Sequence, residues 1–315
     1  RRVLFRSQRR ADGSLFSMKT LNPDSPAALD LESGRYRIRK LAAAELAHVP
    51  IPWMREAGWN PGLHDATTFY CADPDGFLVG ELDGQPIATV SGVRYDDAFG
   101  FIGCYIVAPP FRGKGYGLAI HEAARRHLHG CTQGGDGVLE NIEKYKRIGR
   151  VFAHRNARYE AVKAGDDWEP ALAVCDAVGV DFDDIAALDR ECFPSARARF
   201  LSAWIRQPGA FALAVKDATG LRAYGVIRPC FRGWKIGPLF ARDMAAAESV
   251  FRALVRRIPA GDPFVLDIPE PNTAAGDMVA RYRMREVFAT ARMYTGPFPQ
   301  MRLDRIFGIT TFELG

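Results

Sequence analysis

The sequence predicts an α+β protein with a mixed, mostly antiparallel sheet and flanking helices, and it predicts that this unit is duplicated in tandem. Two observations lead to this prediction. In the first half, a β-hairpin and a third strand precede a glycine-rich turn and a helix, and the second half repeats that order. The chain also has 315 residues, 48% hydrophobic and 25% charged, which suits two globular domains.

Alternating hydrophobic residues and turn residues define the elements of the first half. In chain order they are an edge strand from Tyr36, helical pieces at 42–49 and 52–57, hairpin strands at 77–82 and 86–95 around Asp83-Gly84, a third strand up to Val107 and a helix at 118–129. Pro109 and Pro110 end the third strand because proline cannot donate to a sheet ladder. Beyond the helix, the sequence predicts a short strand at 137–139, a short helix at 143–149 and a further strand from Val151.

The second half is expected to repeat this order with a weaker turn. Its elements are helices within 182–205, hairpin strands at 211–215 and 221–227, a strand at 234–240, a helix at 244–258, and a final strand, helix and strand at 264–268, 272–282 and 288–294. In place of the glycine-rich turn, it has Gly237 followed by Pro238, which offers fewer converging amides. We therefore predict two domains, at 18–166 and 171–315, of which the second is a degenerate copy.

The first 17 residues are expected not to belong to the natural protein. The chain begins without methionine and opens with the residues RRVLFRS, which are typical of a sequencing adapter or a cloning scar. We therefore leave residues 1–17 out of the fold prediction and expect Met18 to be the natural start.

The glycine-rich turn of the first half is the strongest functional signal. Gly113, Gly115 and Gly117 allow positive φ and a close approach of a ligand to the backbone. The helix that follows adds unpaired amides and the positive end of its dipole. This arrangement favours a phosphate or pyrophosphate, to which Arg112 and Lys114 add positive charge.

The spacing of the turn narrows the class of ligand. A dinucleotide-binding turn needs G-x-G-x-x-G, and a nucleotide P-loop needs Gly-Lys followed by Ser or Thr, so both fit poorly. A turn that merely joins a strand to a helix would bind nothing. The arginine, the proline and the spaced glycines together favour a ligand-binding turn over that alternative.

The pattern V-x-P-x-x-R-G-x-G-x-G, which begins at Val107, resembles the acetyl-CoA-binding motif of the GNAT (general-control-related N-acetyltransferase) superfamily. The order of elements resembles the GNAT sheet, and nearly the whole chain after Met18 resembles bacterial proteins with a GNAT lobe and a GNAT-like C-terminal lobe. The resemblance implies that the CoA pyrophosphate is held by Arg112, Gly113, Lys114, Gly115, Tyr116 and Gly117, and that the pantetheine arm pairs with the strand residues Tyr105, Ile106 and Val107.

A second segment, Tyr145 to Gly149, resembles the family's Y-x-x-apolar-G segment. The resemblance implies that Tyr145 is the general acid for the CoA sulfur, whereas spacing alone would make it an aromatic residue that packs the helix on the sheet. Arg150 departs from the family pattern, because a Phe often follows the glycine there. Asn141 also lies closer to Tyr145 than in the usual pattern.

The chemistry of acyl transfer requires an oxyanion donor and a base. Backbone N–H groups at the splayed end of the 104–107 strand are expected to supply the donor. Glu81 is the candidate base, with Asp96 and Asp97 as further candidates, although each could be a solvated surface carboxylate.

The histidines of the predicted helix at 118–129 are not expected to act in catalysis or to bind a metal. His121 is expected to face solvent or to cap its helix. His127 and His129 face different sides of that helix, so no metal site is expected.

These features predict an N-acetyltransferase that moves an acetyl group from acetyl-CoA to a primary amine, on a small molecule or a peptide, by direct transfer. A non-catalytic CoA or acyl-CoA sensor and a dinucleotide-dependent oxidoreductase are the alternatives.

The net charge of +5 comes from scattered basic residues, which argues against nucleic acid as a partner. No apolar run reaches the length of a membrane span. The six separated cysteines are expected to be reduced, in the cytoplasm.

Overall fold

The computed structural model of the protein describes residues 34–165 and 168–315. The interpreted adapter segment, the expected start at Met18 and part of the expected linker near residue 166 lie outside the described residues. Within the described ranges, no helix combines the length and the apolar character needed to cross a membrane. The six cysteines form no disulfide with one another.

The first half contains all the strands and helices that its sequence predicts. Its elements are β1 (Tyr36–Lys40), α1 (Ala43–Leu46), α2 (Pro50–Glu56), α3 (Asp65–Ala72), β2 (Phe77–Leu82), β3 (Gln85–Arg94), β4 (Phe99–Val107), α4 (Tyr116–His127), β5 (Thr132–Val138), α5 (Ile142–Arg147) and β6 (Val151–Val162). Helix α3 was not predicted, because its Thr, Phe, Tyr and Cys residues have modest helix propensity. Burial of Thr68 and Phe69 against the rest of the fold stabilises it instead.

The second half repeats the predicted order and ends with an additional strand. Its elements are β7 (Cys175–Asp176), α6 (Phe182–Cys192), α7 (Ala198–Trp204), β8 (Phe211–Asp217), β9 (Gly220–Pro229), β10 (Trp234–Ala241), α8 (Met244–Arg256), β11 (Pro263–Pro269), α9 (Thr273–Arg281), β12 (Arg285–Tyr294) and β13 (Ile306–Gly308). The short strands β7 and β13 were not predicted. The predicted α+β class, with a mostly antiparallel sheet and a duplicated unit, is confirmed.

In the described part of the chain, the strands of the two halves form one 13-stranded sheet in which the halves exchange strands. Strand β12 of the second half lies between β5 and β6 of the first, and β6 in turn lies between β12 and β11. Only the pairs β4–β5 and β10–β11 are parallel within the described sheet. The sheet is therefore continuous across the division predicted near residue 166.

Buried ion pairs join the two halves. Each pairs a residue of the first half with one of the second: Asp65 with Arg228 at 2.9 Å, Asp136 with Arg292 at 2.7 Å, and Arg158 with Asp267 at 2.7 Å. Removing one partner from such a pair costs about 3–5 kcal/mol, because the other charge is left buried without compensation. These pairs therefore hold the two halves in a defined relative position.

In the second half, the chain itself fills the gap between the parallel strands. Strands β10 and β11 pair only at 234–236 with 264–266, and β13 then pairs with β10. A Cβ on Gly237 would overlap the carbonyl oxygen of Ile309, and the indole N–H of Trp204 donates to the Gly237 carbonyl at 2.9 Å. The second copy is therefore degenerate for two reasons. Its turn lacks the spaced glycines, and the chain near Ile309 fills the gap between its parallel strands.

Candidate active site

The glycine-rich turn between β4 and α4 uses its glycines in two ways. Gly113 and Gly115 have φ angles of +76° and +91°, which L side chains rarely adopt, and Gly115 is the N-cap of α4. Gly117 has a different role, since a Cβ there would overlap the hydroxyl of Tyr105 and lie 3.0 Å from Cγ2 of Val107. Two glycines thus shape the turn, and the third lets α4 pack closely on β4.

The other residues of the turn contribute charge and structure. Arg112 ties the turn to the end of β4, because its Nε donates to the Val107 carbonyl at 2.8 Å. The ammonium group of Lys114 is 5.7 Å from the centre of the Phe111 ring. Tyr116 is only 1% exposed and packs against other aromatic rings, so any contact between this residue and a ligand would come from its main chain.

Strand β4 carries a bulge at the point where it separates from β5. The two strands pair in parallel only over 99–102 and 132–135. Cys104 and Tyr105 both lie opposite Val90 of β3, and Cys104 has a φ of +47°, which is uncommon for a residue with a side chain. The sheet pairing thus leaves the edge of β4 that faces β5 open beyond Ile102, as the sequence predicted.

A cavity of about 520 Å³ opens where β4 and β5 separate. Residues of both halves line it, among them Trp59, Cys104, Tyr105, Asn141, Tyr145 and Arg150 from the first half and Phe288, Met293, Phe312 and Glu313 from the second. The structure therefore places Tyr105 and Tyr145 on the wall of the same cavity. Ile106, Val107 and the turn residues 112–117 are not among the residues that line this cavity.

Tyr145 lies on α5 with its ring against β5. A Cβ on Gly137 would overlap this ring, so glycine is needed at that position. Burial raises the pKa of Tyr145 above its ordinary value, and a hydrogen bond with Asn141 offsets part of the rise. The phenol is therefore protonated at neutral pH and can donate a proton within the cavity.

The structure does not place Glu81 beside Tyr145. The Glu81 carboxylate accepts a hydrogen bond from Nη2 of Arg39 at 2.6 Å, and this residue does not line the cavity. Asp96 accepts backbone N–H groups in the turn before β4, while Asp97 is ion-paired on the surface, and neither lines the cavity. A base that acts in this cavity must come from another part of the chain.

Glu313, which was not among the candidates from the sequence, also lines the cavity. Glu313 belongs to the segment 309–315 that follows β13, and it is 4% exposed. A Cβ on Gly103 would overlap the Glu313 carbonyl oxygen, so this segment packs directly against β4. Thr311 donates to Oε2 of Glu313, whereas Oε1 accepts no hydrogen bond from the described part of the chain. No spacing or motif in the sequence marks this residue.

His121 does not face solvent, so that prediction was wrong. It is 5% exposed and packs against Tyr105, with ring centres 5.6 Å apart. Burial, with smaller contributions from Arg150 and Arg125, lowers the pKa of His121 to about 3. His121 is therefore a neutral residue of the α4 interface at physiological pH.

We expect His121 to make the protein sensitive to acid. Below pH about 6.5 the unfolded chain protonates this histidine and the folded chain does not, so the free energy of unfolding falls by up to about 1.4 kcal/mol per pH unit. Urea unfolding at about pH 7 and pH 5 should show a smaller pH effect in His121→Gln than in the wild type. His129→Gln, at an exposed position, should behave like the wild type, and equal pH effects in all three proteins would contradict the assignment.

Models of known protein families match both halves of the chain. The model of the acetyltransferase (GNAT) family matches residues 38–138, and that of an acetyltransferase (GNAT) domain matches residues 185–308. Holothin acyltransferase from Pseudoalteromonas sp. (strain SANK 73390) is 29% identical over 276 residues, which cover 88% of this chain and 94% of that protein.

Solved structures support the same fold. A proposed acetyltransferase from Pyrococcus horikoshii superimposes with a TM-score of 0.74 at 21% identity, over 89% of this chain and 96% of that one. A tandem GNAT protein from the clavulanic acid biosynthesis pathway gives a TM-score of 0.58 at 15% identity, over 84% and 99% of the two chains. The chain belongs to the GNAT superfamily, as an acyltransferase with two GNAT folds in tandem.

Proposed function

We propose that this acyltransferase moves an acetyl group from acetyl-CoA to a primary amine by direct transfer. One observation carries the proposal: the bulge of β4, the phenol of Tyr145 and the carboxylate residue Glu313 line the same cavity. A donor of backbone hydrogen bonds, an acid and a base are the groups that the reaction requires.

The turn before α4 fits the pyrophosphate of CoA. At Gly113 a Cβ would meet no atom within 4 Å, so the backbone there is accessible to a ligand. The N-terminus of α4 begins directly after Gly115 and favours a negative charge. Arg112 and Lys114 would add positive charge, and the open edge of β4 at 105–107 would hold the pantetheine arm.

The chemistry then divides between two residues on the cavity wall. Acetyl-CoA, when bound, supplies the acetyl group as an activated thioester. Glu313 would take a proton from the attacking amine, and we propose it as the base in place of Glu81, because Glu313 lines the cavity and Glu81 does not. Tyr145 would protonate the leaving sulfur, and backbone N–H groups near Cys104 would stabilise the oxyanion.

The acceptor is expected to combine an apolar body with its amine. Trp59, Phe288 and Phe312 line the cavity together with Glu313, so the cavity wall that carries the proposed base also offers aromatic surface. The curated relative is named for its action on holothin, and holothin is therefore the first acceptor to test. A panel of other small and peptide amines would follow, with release of free CoA as the readout.

Tyr145→Phe should lower kcat by about 100-fold and leave the KM for acetyl-CoA nearly unchanged, since a lost proton donor affects the chemical step. Steady-state kinetics with the best amine of the panel would measure both constants. Tyr159→Phe, on β6 outside the cavity, is the matched control and should match the wild type. An unaltered kcat in Tyr145→Phe would remove Tyr145 from the mechanism.

A further inference from the structure

We propose that Arg150 is the anion-binding residue of this site and holds the negative charge of the CoA sulfur as the thioester is cleaved. This inference rests on the proposed function, because it needs CoA to bind in the cavity. Arg150 is also the position where the sequence departs from the family pattern.

Arg150 lies at the apex of the cleft between β4 and β5. Its side chain is buried, with 7% of the residue exposed, and it lines the cavity. A Cβ on Gly135 would lie 3.1 Å from Nη1 of Arg150, so the guanidinium group lies directly over β5. Gly135 pairs with Ile102, the last position at which the two strands are paired.

Arg150 differs from the other buried arginines in having no carboxylate partner among the described residues. The others donate to buried aspartates in the pairs Arg158–Asp267, Arg197–Asp189, Arg228–Asp65 and Arg292–Asp136. The ionisable groups that influence Arg150 are Tyr145, Arg125 and His121, none of which is a carboxylate. A buried cation without an anion destabilises the folded protein, and a bound anion would offset this destabilisation.

The charge of Arg150 persists at neutral pH. Burial lowers the pKa of Arg150 to about 10, and repulsion from Arg125 acts in the same direction. The guanidinium group is thus protonated and ready to pair with an anion. The anion that acyl transfer generates beside Tyr145 is the thiolate, and Arg150 and Tyr145 line the same cavity.

The proposed step balances in protons and charge. The carbon–sulfur bond breaks with its electron pair on sulfur, the carbon–nitrogen bond forms, and the proton of the amine passes to Glu313. The guanidinium group of Arg150 pairs with the thiolate and stays protonated throughout. Tyr145 then gives its phenolic proton to the sulfur and regains one from water, and Glu313 releases its proton to water.

The test measures the pKa of the CoA thiol in the complex, by the ultraviolet absorbance of the thiolate during a pH titration. In the wild type we expect a pKa about one unit or more below that of free CoA, because a buried cation stabilises the thiolate. In Arg150→Gln the thiol should titrate as in free CoA, while Arg150→Lys should retain part of the shift. Arg147→Gln, an exposed arginine of α5, should keep the full shift.

Desulfo-CoA, which lacks the sulfur, separates the two proposals. At about pH 9 the wild type should bind CoA about tenfold more tightly than desulfo-CoA, and Arg150→Gln should bind both equally, as measured by calorimetry. If the wild type binds neither compound, the proposed function itself fails. If it binds both but the thiol pKa does not differ between the wild type and both Arg150 variants, only the role of Arg150 is overturned.

Discussion

Replacing Gly115 with aspartate is expected to abolish acyl-CoA binding and to leave the protein folded. The new carboxylate would stand where the amides of the turn converge, so it would repel the pyrophosphate and occupy its place. We expect the affinity for acetyl-CoA to fall by 100-fold or more, which corresponds to about 2.7 kcal/mol of binding free energy. Repulsion between like charges at a blocked site is sufficient for a loss of this size. Calorimetry with acetyl-CoA would measure the affinity.

Gly130→Asp is the matched control for this variant. Gly130 has a φ of +88°, close to the +91° of Gly115, and a Cβ there would meet no atom within 4 Å. Both variants therefore carry a similar backbone strain, and their melting temperatures should fall by similar amounts. Only Gly115→Asp should lose the ligand. Equal affinities in the two variants would contradict the placement of the pyrophosphate at this turn.

Glu313→Gln should lower kcat by about 100- to 1,000-fold at neutral pH, with little change in the KM for acetyl-CoA. The amide keeps the shape of the side chain but cannot take a proton from the amine. Raising the pH increases the fraction of the amine substrate that is already deprotonated in solution. Part of the lost rate should therefore return at high pH. Steady-state kinetics across a pH range, with the best amine of the acceptor panel, would measure both effects.

Glu81→Gln provides the comparison that matters for this prediction. Glu81 carries the same functional group, but Arg39 holds its carboxylate outside the cavity, so we expect kcat within about twofold of the wild type. A large loss in Glu81→Gln together with normal turnover in Glu313→Gln would reverse the assignment of the base.

Local patterns were sufficient to predict the order of most of the elements. Alternating apolar residues and the turn Asp83-Gly84 involve neighbours a few residues apart, and so does the i, i+4, i+8 spacing of Ile120, Ala124 and Leu128. Those three residues of the predicted helix are fully buried in the structure. Helix α3 was not predicted, because most of its residues, apart from its two alanines, have modest helix propensity and depend on packing.

The exchange of strands between the halves could not be predicted in the same way. The alternation within β12 and β6 indicates a strand, but it does not specify which strands will be the neighbours. The structure places β12 between β5 and β6. This choice depends on the packing of whole sheet faces and on pairs such as Asp136 with Arg292.

The sequence by itself predicted most of the strands and helices and the glycine turn, since each depends on residues close together in the chain, and its resemblance to the GNAT superfamily implied the candidate acid Tyr145. Only the tertiary structure decided which charged groups face the cavity. It paired Glu81 with Arg39, brought Glu313 against β4 from the far end of the chain, and left Arg150 without a carboxylate among the described residues. Burial and ion pairing arise between segments that meet only on folding, and no local pattern can record them.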